Sequence, residues 1–194
     1  MYLFRARPEQ PVAFEDVGGD GGGGGGGSGG SNYSPSNFVA PAGVPQDIWD
    51  SMNWGERTKC ISDLGECAIV ALIVKDAGTW STQQTPGLTS NANNERDALR
   101  HALWQANLTV VFGPTEAKVW GDLHEQSANS EQEHAMDFHN NEVGRSIGEY
   151  WMDNLAGPGN TVSISSMVLI ARDNGTLILN LSDSRIPPPS GTAP

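Results

Sequence analysis

The sequence predicts a mainly α fold, a compact helical domain of about five helices that ends in a short C-terminal strand or hairpin and is flanked by disordered tails. Three observations predict it. Apolar residues recur at helical spacing between residues 46 and 183. Helix-capping signals stand ahead of several of those runs, and Gly or Pro follows them. Both ends have the composition of unfolded chain: Gly18 to Ser31 is almost pure glycine, and Pro187-Pro188-Pro189 opens the last stretch. Such segments cannot recover their ordering entropy by burying side chains. The chain therefore divides into a glycine-rich linker at 1–45, a helical domain at 46–183 and a tail at 184–194. A flexible linker ahead of a compact unit suggests a module tethered to a larger parent protein.

The elements follow in order. Ile48, Trp49, Met52 and Ile61 belong to one or two short helices. Asp63 with Glu66 resembles a capping box, opening a helix to about Asp76 with Gly78 as its stop. The polar stretch 79–94 reads as a loop, long enough to suggest a functional role. A helix over 95–112 ends at Gly113-Pro114, and Thr115 caps another over 116–127. Ser130 with Glu133 makes a second capping box, and its helix runs to about Asn154, where Gly157-Pro158-Gly159 follows. Ile164, Met167, Val168 and Ala171 have helical spacing, with Asn174-Gly175 as a stop. The same Asn-Gly pair suits a hairpin turn. The reading adopted is a helix followed by a short extended segment.

Cys60 and Cys67 are the two cysteines. On one continuous helix they would stand about 10 Å apart, beyond disulfide reach. A helix that starts near Asp63 would leave Cys60 in the preceding turn and permit a bridge. Two buried thiols is the simpler reading.

Charge narrows the function. Eleven basic residues face 23 acidic ones, a net −12. Phosphate backbones and anionic lipid surfaces repel such a chain, and its basic residues are scattered singly, so nucleic acid is not an expected partner. No apolar run approaches the roughly 20 residues of a membrane span. The N-terminus lacks the apolar core of a cleaved signal. The protein is then cytoplasmic, secreted without a cleaved signal, or a piece of something longer.

All four histidines fall between 101 and 139. On the first of the three helices there, Asp97, Arg100, His101 and Trp104 share one face. Asp97 can orient His101 or pair with Arg100. On the second, His124 lies one turn from Trp120, and Glu125 is next to it. A helix-end His also interacts favourably with the dipole, which is the plain alternative. On the third, Asn140 lies inside the apolar stripe of Met136, Val143, Ile147 and Tyr150, and a buried amide there must find partners. Asp137, Asn141, Gly144 and Gly148 form the neighbouring line, and the two glycines let another helix come close. His139 and His134 face elsewhere and are weaker candidates.

His101, His124, Glu125 and Asp137 are thus the candidate catalytic group. His101, His124 and Asp137 are the candidate ligands of a divalent metal such as zinc, whose incomplete shell would leave room for an activated water. Without a metal, Glu125 and Asp137 would serve as a general acid–base pair. Arg100, Trp104, Asn140, Asn141 and Arg145 are the candidate substrate-binding residues, with Arg100 for an anionic group. No Gly-x-Ser-x-Gly supports a serine nucleophile.

These runs, Asp97-Ala98-Leu99-Arg100-His101-Ala102-Leu103-Trp104, His124-Glu125 and Met136-Asp137-Phe138-His139-Asn140-Asn141-Glu142-Val143-Gly144-Arg145, resemble an uncharacterised domain of bacteria found in secreted, wall-associated and polymorphic-toxin-type proteins. The resemblance implies an α-helical domain at the C-terminal end of larger or exported proteins. It also implies an envelope or lipid substrate and an immunity-type partner, but it brings no settled reaction. Two readings follow: a hydrolase, metal-dependent or acid–base, and a non-catalytic packing or partner-binding module whose polar cluster is a hydrogen-bond network.

Overall fold

The computed structural model describes residues 39–126 and 130–188. The glycine-rich segment to residue 38 and the end of the tail from 189 lie outside the described residues, and so do the expectations made for them. Among the described residues there are seven helices: α1 (Gln46–Ser51), α2 (Trp54–Ser62), α3 (Leu64–Gln84), α4 (Glu95–Phe112), α5 (Pro114–Glu125), α6 (Glu131–Asn154) and α7 (Ile164–Asp173). The mainly α class holds, with two short helices, α1 and α2, leading into the longer ones.

The centre of the fold is α4. Ala98, Leu99, Ala102, Leu103, Ala106 and Leu108 point around much of its circumference, and all are buried. A helix apolar on so many faces must be surrounded. It packs on α6 most extensively, and on α3, α5 and α7 as well. The close approach of α4 and α6 needs glycine. A Cβ added at Gly148 would lie 2.6 Å from the Ala106 carbonyl oxygen, and one at Gly144 would lie 2.9 Å from Gln105 Cβ. The two glycines thus let α4 settle into α6, as their spacing predicts.

Most starts follow their caps. The Asn53 side chain accepts from Glu56 N, and Glu56 returns the bond to Asn53 N, completing a capping box on α2. Asp63 caps α3, Asn94 caps α4, Ser130 caps α6 and Ser163 caps α7. For α5 the start moves to Pro114, which fills the first helical position after Gly113, so Thr115 lies inside the helix.

Three sequence expectations are corrected. First, α3 does not stop at Gly78 but continues to Gln84. Ala77 and Ser81 are buried there and Trp80 packs on the core, which outweighs the roughly 1 kcal/mol that a glycine costs a helix. Second, Cys60 and Cys67 form a disulfide, with Cα atoms 4.8 Å apart. The chain breaks at Asp63, which ends α2 and caps α3, so the last turn of one helix meets the first turn of the next. Third, no strand forms after α7 among the described residues. The segment there meets its backbone needs through side chains instead of a ladder. Asn140 accepts from Ile178 N and donates to Ile178 O, both at 2.9 Å. Arg185 donates to the carbonyls of Gly175, Thr176 and Leu177.

Packing also reaches beyond 46–183: Val44 and Ile186 are both buried. The loop between α3 and α4 is shorter than expected and is held by Arg96. Its guanidinium donates to the Thr85 hydroxyl and carbonyl, to the Leu88 carbonyl and to Asn91 Oδ1. That loop in turn positions Asp97, whose Oδ2 accepts from Asn93 N at 2.6 Å.

Candidate functional site

Three helices bring the polar runs together around His101, whose side chain is 2% exposed. Asp97 and His101 share a face of α4, Glu125 ends α5, and Asp137 and Asn141 lie one turn apart on α6. The close α4–α6 contact at Gly144 is what lets the α6 side chains reach the ring.

The two ring nitrogens face different partners. On one side, Nδ1 lies 3.0 Å from Asn141 Oδ1, and Asn141 Nδ2 donates to Glu125 Oε1 at 2.8 Å. An amide oxygen can only accept, so this bond places a proton on Nδ1. On the other side, Nε2 lies 3.4 Å from Asp97 Oδ1 and 3.7 Å from Asp137 Oδ1. Arg100 completes this side with an ion pair to Asp97 Oδ1, its Nη2 lying 3.4 Å from His101 Nε2.

Asp97, His101 and Asp137 offer three ligand atoms, all within 4.8 Å of one another and all on buried residues. The Nε2–oxygen separations match the edges of a small coordination shell, since bonds of about 2.1 Å at tetrahedral angles put ligand atoms roughly 3.4 Å apart. The Nδ1 side has the support usual for a metal-bound histidine, an oxygen acceptor that fixes the ring and its tautomer. Asp137 Oδ1 is buried without a hydrogen-bond partner. A buried carboxylate oxygen left this way is costly unless something binds it.

The electrostatics follow from burial and crowding. Burial alone would push the His101 imidazole down. The Asp97 hydrogen bond and the charges of Asp137 and Glu125 outweigh it, holding the ring up at about 9. Burial pushes the Asp137 carboxyl up to about 7; His101 opposes this, and Asp97 and Glu125 reinforce it. Asp97 is also raised by burial, but its bond to His101 and the His101 and Arg100 charges leave it below its usual value. The site concentrates negative charge where cations are needed to balance it.

The structure sorts the sequence candidates. His101, Glu125, Asp137, Asn141 and Arg100 converge, and Asp97 joins them as both orienting carboxylate and candidate ligand. His124 does not join the ligand group. Its Nδ1 bonds Glu56 Oε1 at 2.9 Å, and its ring centroid lies 5.6 Å from that of His101. Trp104 is buried against both rings, with centroids 6.1 Å from His101 and 5.1 Å from His124. Asn140 does not face the cluster; it holds the C-terminal segment at Ile178. Arg145 is buried between α6 and α4, where it donates to Gln105 Oε1 at 3.2 Å. His139 bonds the Thr176 carbonyl and His134 stacks edge-on with Phe138, so neither touches the cluster.

Beside the cluster lies a cavity of about 150 Å³ whose lining includes Met52, Glu56, Val70, Arg100, Trp104 and His124. Glu56 is the residue that sequence reasoning missed. Its only signal was an ordinary capping box, and nothing local shows that its second oxygen turns to His124, 68 residues away. The pairing arises because Asn53, the cap of α2, also donates to the Leu123 and His124 carbonyls at the end of α5.

Neither a curated protein nor a solved structure matches the chain. A family model does match, from Thr58 in α2 to Ile170 in α7, and the whole of the Asp97–His101–Asp137 cluster falls inside it. Since that match spans more than half of the 194 residues, the chain belongs to the family described as a domain of unknown function (DUF6973).

Proposed function

We propose that the protein is a metal-dependent hydrolase whose divalent ion is held by Asp97, His101 and Asp137. The observation that carries this reading is Asp137 Oδ1, buried without a hydrogen-bond partner within a set of three ligand atoms no more than 4.8 Å apart. An ion bound there would supply a water acidic enough to act as a nucleophile near neutral pH. Asn141 and Glu125 hold the His101 ring so that Nε2 faces Asp97 and Asp137, the residues that would hold the ion with it. His124, held at Nδ1 by Glu56 and lining the cavity, is assigned the acid–base role: it passes a proton to the leaving oxygen as the ester bond breaks. The resemblance in the sequence suggests the wider setting, a toxin-type effector acting on an envelope or lipid substrate, and the apolar residues of the cavity suit a lipid.

The test uses the full chain. It is loaded with manganese or zinc, desalted and assayed for metal content, then screened against aryl esters and aryl phosphates. The expected result is one ion per chain, lost in Asp137→Asn and His101→Ala while the helical spectrum is kept. A wild-type chain that holds no ion after loading overturns the reading.

A second reading has its own support. His101 is enclosed, and protein groups face both of its ring nitrogens. In that reading the cluster is a non-catalytic network that fixes α4 against α5 and α6. Its signature is unfolding of His101→Ala with no metal uptake by the wild type.

A further inference from the structure

The Arg100 guanidinium stands where a metal's charge would be felt most. It pairs with Asp97 Oδ1 and lies 3.4 Å from His101 Nε2, so it abuts two of the three candidate ligand atoms. A dication and a guanidinium cannot both occupy that space without strong repulsion. Arg100 is also the least enclosed of these groups, with its side chain 32% exposed against 2–3% for His101 and Asp97. Finally, it lines the neighbouring cavity. It is therefore a partly exposed cation at the boundary between the cluster and the cavity.

The cavity has a matching chemistry. Met52, Val70, Val74 and Trp104 make an apolar wall. Its volume, about 150 Å³, is about that in which an apolar protein cavity accommodates benzene. The acid on its wall, Glu56, is already committed: one oxygen accepts from Asn53 N and the other meets His124 Nδ1. Arg100 is left to confer the charge preference, and its planar fork is suited to a two-oxygen anion.

We propose that Arg100 is an exchangeable counter-ion: a divalent cation at Asp97, His101 and Asp137 releases it from Asp97, and the released guanidinium becomes the receptor for a small oxyanion bearing an apolar group in the adjoining cavity. This rests on the metal reading above and extends it to a substrate class. It makes metal binding and anion binding mutually supportive, because each favours the position of Arg100 that the other needs.

The test is calorimetric titration of the full chain and of Arg100→Gln. Manganese is titrated first. The variant lacks the competing cation and is expected to bind it on the order of tenfold tighter. Phenylphosphonate, whose ring suits the cavity, is titrated next, with benzoate to separate phosphonate from carboxylate recognition and benzyl alcohol as the uncharged control. Wild-type protein should bind phenylphosphonate or benzoate at least about tenfold better with manganese than without, and benzyl alcohol about equally in both states. Arg100→Gln should lose that gain. Equal manganese affinity in the two proteins overturns the exchange and leaves the metal site standing. An anion gain that survives in Arg100→Gln places the anion on the metal and overturns the receptor role. If neither protein takes up manganese, the metal reading fails, and this inference with it. If Arg100→Gln does not fold, the wild-type comparison with and without manganese decides: no gain in anion affinity overturns the proposal.

Discussion

Gly144 tests the link between helix packing and the site most directly. Replacing it by alanine adds a single methyl group. On an open helix surface that change would stabilise the chain by about 1 kcal/mol, because glycine loses more backbone entropy than alanine. Here the new Cβ would lie 2.9 Å from Gln105 Cβ and closer still to the Ala102 carbonyl oxygen. Ordinary contact begins near 3.4 Å, so relieving the Gln105 contact alone takes about 0.5 Å, and the nearer Ala102 oxygen requires α4 and α6 to part further. The Ala102 group is helix backbone and cannot rotate away. The cost therefore belongs at the upper end of the overpacking range, about 3 kcal/mol, and the net loss is about 2 kcal/mol. The same displacement opens the His101–Asn141 bond, which spans the two helices at 3.0 Å. Misplacement on this scale is expected to lower any turnover at the site by up to about a hundredfold. Urea unfolding measures the first effect, and the rate of aryl ester or aryl phosphate hydrolysis the second. Gly78→Ala is the control, since its Cβ meets nothing within 4 Å and α3 is helical there. It should stabilise by up to about 1 kcal/mol. If Gly144→Ala proves as stabilising as Gly78→Ala, the close α4–α6 packing described above is wrong.

Other predictions address the supports of the fold. Reducing the Cys60–Cys67 bridge, which closes a loop of sequence separation 7, should cost about 2–3 kcal/mol in a denaturant melt; two thiols titrating without reductant would contradict the bridge. Asn140→Ala removes both bonds to Ile178 and leaves its buried N–H and C=O unpaired, for a loss of about 2–4 kcal/mol. Limited proteolysis should then cut after α7 first, and unchanged protection there would argue against the clasp. The Asp183 carboxyl is pulled down to about 2, chiefly by hydrogen bonds from the Arg185 side chain. A folded pKa below the unfolded one adds stability above the unfolded value of about 3.9, and that stability is lost as pH falls through about 2. The pair is partly exposed, so the contribution is held to about 1 kcal/mol or less. An acid melt of Arg185→Gln should show a correspondingly shallower decline between those pH values.

Much of the helical layout was legible because its signals are local. Asp63 and Ser130 cap their helices from their own side chains, and the 3.6-residue spacing of α4 and α6 survives in the sequence. The shared face of Asp97, Arg100, His101 and Trp104 and the glycine line of α6 were legible for the same reason. Gly78 misled because a stop signal is a preference of about 1 kcal/mol, and tertiary burial of Ala77, Trp80 and Ser81 exceeds it. The hairpin reading failed because Asn140, far away in sequence, offers Ile178 the bonds that a partner strand would have given.

By itself, the sequence pointed to most of the helices, to the buried faces of α4 and α6, and to His101 and Asp137 as members of one candidate group. Tertiary structure alone decided which neighbours share that centre. It put Asp97 in the ligand group in place of His124 and turned His124 to Glu56. It also closed the Cys60–Cys67 bridge across the break at Asp63. The reason is one of range. Helix propensity, capping and periodicity act over a few residues, whereas a coordination shell depends on ångström-scale distances between side chains dozens of residues apart. Here those distances are set by how closely α4 settles against Gly144 and Gly148 of α6.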